Sequence, residues 1–161
     1  METWRSECGT YTVVLEDQFL TDVVNVARKH YPKEVGSPLF GSYSDDGHKA
    51  HISGIGPLSP DSHGTRISFN RGVRGLREFF TNLFKSSQGR VHYVGEWHSH
   101  PNGAPIPSGT DHDNMMAIAR DPKAECPECV LIIISIGAQT SEKAIYVYSR
   151  EKNRSVPLCQ T

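Results

Sequence analysis

Residues 95–111 read Gly95-Glu96-Trp97-His98-Ser99-His100-Pro101-Asn102-Gly103-Ala104-Pro105-Ile106-Pro107-Ser108-Gly109-Thr110-Asp111, and the fold and chemistry follow outward from them. The stretch from 91 to 98 reads as a strand. Residues two apart on a strand face the same side, so His98 and His100 can reach one ion from the strand's end. Trp97 falls on the opposite face and reads as core. Glu96 shares the face of His98 and reads as a group supporting the ligands. Ser108 and Thr110 offer caps for a helix running to about Arg120, and Asp111 lies in its first turn. Two imidazole nitrogens and one carboxylate oxygen leave a fourth tetrahedral position open, as catalytic zinc requires. Pro101, Pro105 and Pro107 stiffen the loop between the ligands and reduce the entropy lost in holding them. A water activated there still needs a base for its proton. Ser108 is placed to donate a hydrogen bond to a developing oxyanion. His112 and Asp113 point elsewhere on the helix and read as solvated.

The chain around this segment alternates strands and amphipathic helices. Residues 11–16 form a β-branched strand. Asp17 is a candidate cap for a helix whose Leu20, Val23, Val24 and Ala27 recur at helical spacing, and Pro32 ends it. Strands are expected at 37–43 and 49–55, a Gly/Pro/Ser-rich loop at 56–65, and a short strand near 66–70. A second helix is expected over 71–87, with Val73, Leu76, Phe79, Phe80, Leu83 and Phe84 as its apolar stripe, which reads as core. Strands at 129–136 and 143–149 close the domain. With several strands adjacent in sequence, the order argues for an α+β domain, a mixed sheet packed on helices. The 161 residues read as one domain, 1–161, with no repeat or linker.

Composition narrows the partners. A formal net charge of −1 supplies no positive field for a phosphate backbone, so nucleic acid is not expected. No apolar run approaches the roughly 20 residues that span a bilayer, and the first residues lack the pattern of a signal peptide. A cytoplasmic protein that engages no membrane is the expectation. The four cysteines, Cys8, Cys126, Cys129 and Cys159, are then not a disulfide framework. Cys126-Pro127-Glu128-Cys129 has zinc-knuckle spacing, and Cys8 and Cys159 could complete such a site if the termini met. The simpler reading is free thiols in a turn.

A His-x-His pair alone is weak evidence for a metal. His98-x-His100, seven residues, Ser108, two residues, Asp111 resembles the signature of the JAMM metalloproteases (also called MPN+ or JAB) at every position. Lys33-Glu34-Val35-Gly36, with Leu39-Phe40-Gly41 behind it, is similar to the family's upstream glutamate segment. The resemblance spans about residues 15–149. It implies a JAB/MPN-like, cytidine-deaminase-like fold with the sheet between helices. It implies one Zn2+ per chain on His98, His100 and Asp111, Glu34 as general base and Ser108 as oxyanion support. It also implies hydrolysis of an isopeptide or peptide bond after the C-terminus of a ubiquitin-like protein. Gly95-Glu96-Trp97-His98-Ser99-His100-Pro101 is most similar to the stand-alone deconjugating peptidases of bacterial antiphage operons, including cyclic-oligonucleotide (CBASS) systems. Two other functions stay open at this point. One is a processing peptidase that trims a ubiquitin-like or sulfur-carrier precursor, and the other is a non-catalytic interaction module.

Overall fold

The computed structural model describes all 161 residues. Ten strands and three helices occur in the order β1 (Glu2–Ser6), β2 (Thr12–Leu15), α1 (Asp17–His30), β3 (Gly36–Tyr43), β4 (Lys49–Ile55), β5 (His63–Gly64), β6 (Phe69–Asn70), α2 (Leu76–Ser86), β7 (His92–Pro101), α3 (Gly109–Arg120), β8 (Glu128–Ile136), β9 (Ser141–Ser149) and β10 (Arg154–Gln160). The mixed α+β architecture is as expected, with one refinement. The main sheet closes on itself in the order β1-β10-β9-β8-β7-β3-β4-β2, and β1 pairs with β2. The two terminal strands that complete the ring were not legible in the sequence. Each is short, and its partner lies at the other end of the chain: Trp4 opposes Gln160.

β8 is buried on both faces, which explains its unbroken apolar run. Val130, Ile132, Ile134 and Ile136 join Phe19, Val23 and Ala27 of α1 in the larger core. Cys129, Leu131 and Ile133 face α3 and pack with Met115, Met116 and Ala119. Each such buried aliphatic side chain stabilises the fold by about 1.5–3 kcal/mol. All four cysteines are free thiols, as expected; Cys126, in the turn before β8, and Cys129, on β8, are wholly buried in this second cluster and serve as packing groups, whereas Cys8 and Cys159 are exposed.

β7 carries the informative residues, and an irregularity aims them. Leu39 opposes Gly95 but Phe40 opposes Tyr93, so Val94 is an extra residue, a β-bulge. Val94 and Trp97 consequently both face the larger core, and Glu96, His98 and His100 face α3. Gly95 is at φ +155°, and a Cβ there would overlap the Val130 carbonyl, so a side chain cannot be accommodated.

Three local expectations change. Asp17 begins α1 but does not cap it. The N-cap is Glu16, without a side-chain bond, and the Asp17 carboxylate pairs with the N-terminal ammonium. The second helix starts at Leu76, because Gly72 and Gly75 interrupt the pattern and the Asp61 carboxylate holds the Val73 and Arg74 amides in a non-helical turn. Its stripe is mostly not core. Only Leu76 is buried, while Val73 and Phe84 are 68% and 53% exposed. Helical periodicity identifies a face, but a partner must cover it, and here Phe79 meets Phe40 of β3 and Phe80 meets Tyr93 of β7 while the rest of the stripe stays open.

Candidate metal centre

The end of β7 and the start of α3 meet over β8. His98 Nε2 and His100 Nε2 are 3.1 Å apart, and Asp111 Oδ2 lies 3.3 Å from the first and 3.7 Å from the second. A tetrahedral ion with bonds of about 2.0–2.1 Å separates its ligand atoms by about 3.3–3.4 Å. The circle through the three donor atoms has a radius of about 2.0 Å, so all three can reach one ion at that bond length. The donor set fits a metal before any side chain moves.

Each donor is held by its own element. His100 Nδ1 donates to the Ala104 carbonyl at 2.9 Å, which presents Nε2 to the ion. Asp111 is locked by a capping box: its amide donates to Ser108 Oγ (3.1 Å), and its Oδ2 accepts from the Ser108 amide (2.8 Å). Such a cap contributes about 1 kcal/mol to the helix, and the same interaction orients the ligand. Ser108 Oγ accepts within the cap, so its own proton remains free to be donated. Gly36 opposes His98, and a Cβ there would overlap the Trp97 carbonyl and lie 2.8 Å from His98 Cβ.

The electrostatics fit a cation. Burial pushes the Asp111 carboxyl up, but hydrogen bonds from His100 and His98 overcome this and hold it well below the usual carboxylate range. Burial pushes His100 down, and its bonds to Asp111 and the Ala104 carbonyl reverse that, leaving it above its ordinary value. The Asp111 carboxylate and the His100 ring thus favour each other's charged forms, and an ion bound between them would take the place of that charge.

Glu34 lies on the segment between α1 and β3. Burial raises its pKa, and the charges of His100 and His98 oppose the rise, which brings the carboxyl within their field. Ser99, missed in the sequence, ties this segment to the ligand strand. Its Oγ accepts from the Val35 amide (3.0 Å), and its amide donates to the Val35 carbonyl (2.8 Å). The spacing His-Ser-His was visible, but its partner 64 residues away was not. Glu96 has a defined support: it pairs with Arg71 at 2.9 Å and accepts from the Tyr93 hydroxyl at 2.8 Å. Burial pushes it up to about 7. His112 is not merely solvated, since its Nδ1 lies 2.8 Å from the Tyr148 hydroxyl. A cleft of about 300 Å³ runs from His98 and Asp111 past Arg71, Asn114 and Ile118.

The closed mixed sheet thus brings two histidines at the end of β7 and a carboxylate in the first turn of α3 together as a candidate metal centre. Residues 16–151 match the family described as prokaryotic homologs of the JAB domain, and the chain belongs to that family. It is a metal-dependent peptidase. A protein named CD-NTase/cGAS isopeptidase from Enterobacter hormaechei subsp. hoffmannii (strain UCI 50) is 39% identical over 132 residues, which is 82% of this chain and 72% of that one. A probable metalloprotease, y4qB, from Sinorhizobium fredii is 30% identical over 115 residues, 70% of this chain and 69% of that one. The solution structure of protein DSY2949 from Desulfitobacterium hafniense has the same fold, with a TM-score of 0.60 at 20% identity over 92% of this chain and 89% of that one. No helix is long and apolar enough to cross a membrane.

Proposed function

We propose that the protein is a zinc isopeptidase that releases a conjugated protein by cleaving the amide after its C-terminal residue, in the cytoplasm of a bacterium defending itself against phage. The conjugated protein carries a ubiquitin-like tail or is attached in ubiquitin-like fashion; the name of the Enterobacter relative, CD-NTase/cGAS isopeptidase, supports a conjugated protein as the substrate. The triangle of donor atoms with edges of 3.1–3.7 Å carries the reading. His98, His100 and Asp111 hold one Zn2+, which when bound polarises the scissile carbonyl and makes a water acidic enough to attack. Glu34 takes the proton of that water and returns it to the departing amine. Its burial suits this role, because a carboxylate drawn above its ordinary value is a stronger base. Ser108 donates a hydrogen bond from its free hydroxyl to the oxyanion that forms at the carbonyl. The cleft beside His98 and Asp111 takes the chain next to the scissile bond.

The test is incubation with model conjugates, one target joined to a cognate tail through lysine and one through a linear peptide bond, followed by mass spectrometry of the products. Cleavage of the lysine conjugate is expected. Cleavage of the linear form alone would replace the isopeptidase by a processing peptidase, and cleavage of neither, with zinc bound, would reject the substrate class.

A further inference from the structure

At the opposite end of the closed sheet from the catalytic groups, three residues from two turns and the start of a strand converge. His48 stands in the turn between β3 and β4, Glu128 opens β8, and Glu151 sits in the turn between β9 and β10. One donor atom from each lies within 4.8 Å of the other two. His98 opposes Ile133 across the β7–β8 pair, five residues along β8 from Glu128. At about 3.3 Å per residue this puts the cluster roughly 16 Å from the catalytic site, too far for any donor to be shared.

The carboxylates there lack a lysine or arginine partner, and burial is the largest influence on Glu128. Glu128 Oε2 is shut off from solvent and has no hydrogen-bond partner. The Tyr11 hydroxyl donates to Ser149 Oγ at 2.9 Å, and burial raises the Glu128 carboxyl against the opposing pull of Tyr11, Ser149 and the His48 charge. Neither Glu128 nor Glu151 pairs with a lysine or arginine. The nearby Lys152 ammonium lies instead over the Tyr11 ring, 5.0 Å from its centre. The imidazole is also oriented: Tyr11 packs edge-on against His48 at 5.5 Å, and the Asp46 carboxylate accepts from the His48 amide. A buried carboxylate oxygen without a partner is costly, and a cation offsets the cost where a second carboxylate and an imidazole can share it.

We propose that His48, Glu128 and Glu151 form a second, non-catalytic site for a divalent transition-metal ion. One nitrogen and two oxygen donors suit zinc and its neighbours in the first row rather than calcium or magnesium, which take oxygen alone. Glu151 is exposed on a turn and is the donor free to close on the ion. Bound there, the ion ties the β3–β4 turn and the β9–β10 turn to the start of β8, and so stabilises the ring of strands at the end far from the substrate.

Metal-free protein loaded with excess Zn2+ and freed of unbound ion by dialysis tests this, with bound metal counted by elemental analysis. Wild type is expected to hold two ions per chain, Glu128→Gln one, and His100→Ala one. Because Glu128 is partly buried, Glu151→Gln is measured alongside as a change confined to an exposed turn, and it too is expected to hold one. In the His100→Ala background, adding Zn2+ raises Tm by about 5–10 °C at saturation, a shift that Glu151→Gln abolishes. Both glutamate variants keep wild-type turnover when loaded. Equal zinc in wild type and both glutamate variants would overturn the proposal, as would no zinc in His100→Ala. Neither result would bear on the catalytic ion, which the glutamate variants retain.

Discussion

Ser99→Ala isolates a link between the ligand strand and the proposed base. Ser99 is 1% exposed, and its hydroxyl is the sole acceptor for the amide of Val35, itself 5% exposed. Removing the hydroxyl leaves that amide buried without a partner, which costs about 1–3 kcal/mol. In a domain of this size each kcal/mol lowers Tm by about 2–4 °C, so a drop of about 2–12 °C is expected. The bond from the Ser99 amide to the Val35 carbonyl survives, so the segment loosens without detaching. Glu34 is the next residue, and a displacement of about 1 Å in a catalytic group costs up to about 100-fold in rate. The His98 and His100 rings make no bond to Ser99, so bound zinc stays at the wild-type level. The assay pairs thermal melts at fixed zinc with steady-state cleavage of the lysine conjugate. Unchanged Tm together with unchanged kcat would refute the reasoning, and loss of zinc with kcat would move the role of Ser99 from the base to the ligands.

His100→Ala removes one corner of the donor triangle and is expected to lose the catalytic ion and all turnover, checked by elemental analysis and product mass spectrometry. Glu34→Gln keeps zinc and fold but slows cleavage by about 10²–10⁴; near-wild-type turnover would transfer the base to another carboxylate, with Glu96 the first to test. Glu34 works only when ionised, and burial holds its pKa above the ordinary 4.5, so kcat/KM falls tenfold per unit as pH drops below that raised value and is level above it; a limb that persists in Glu34→Gln would assign it elsewhere. Cys126→Ser with Cys129→Ser places two hydroxyls in an apolar cluster and is expected to lower Tm by several degrees while zinc and turnover are unchanged, since neither thiol reaches the catalytic groups; loss of an ion in this variant would show that the thiols bind metal.

What the chain determined by itself is local. The two-residue spacing of His98 and His100, and the three-residue spacing of Ser108 and Asp111, need only the periods of a strand and of a capped helix start. Those distances are set by backbone geometry inside one element, so they survive any tertiary arrangement. The same holds for the buried run of β8 and the amphipathic face of α1. The tertiary structure decided everything that depends on pairing across distance. Glu34 was picked out only through a resemblance. It reaches the field of the histidines because β3 pairs with β7 in one register, and that register turns on the bulge at Val94. Closure of the sheet by β1 and β10, the pairing of Arg71 with Glu96, and the meeting of His48, Glu128 and Glu151 belong to the same class. The exposed stripe of α2 shows the limit most plainly. Periodicity marks which side of a helix is apolar, but burial is a property of two surfaces, and one of them lies elsewhere in the chain.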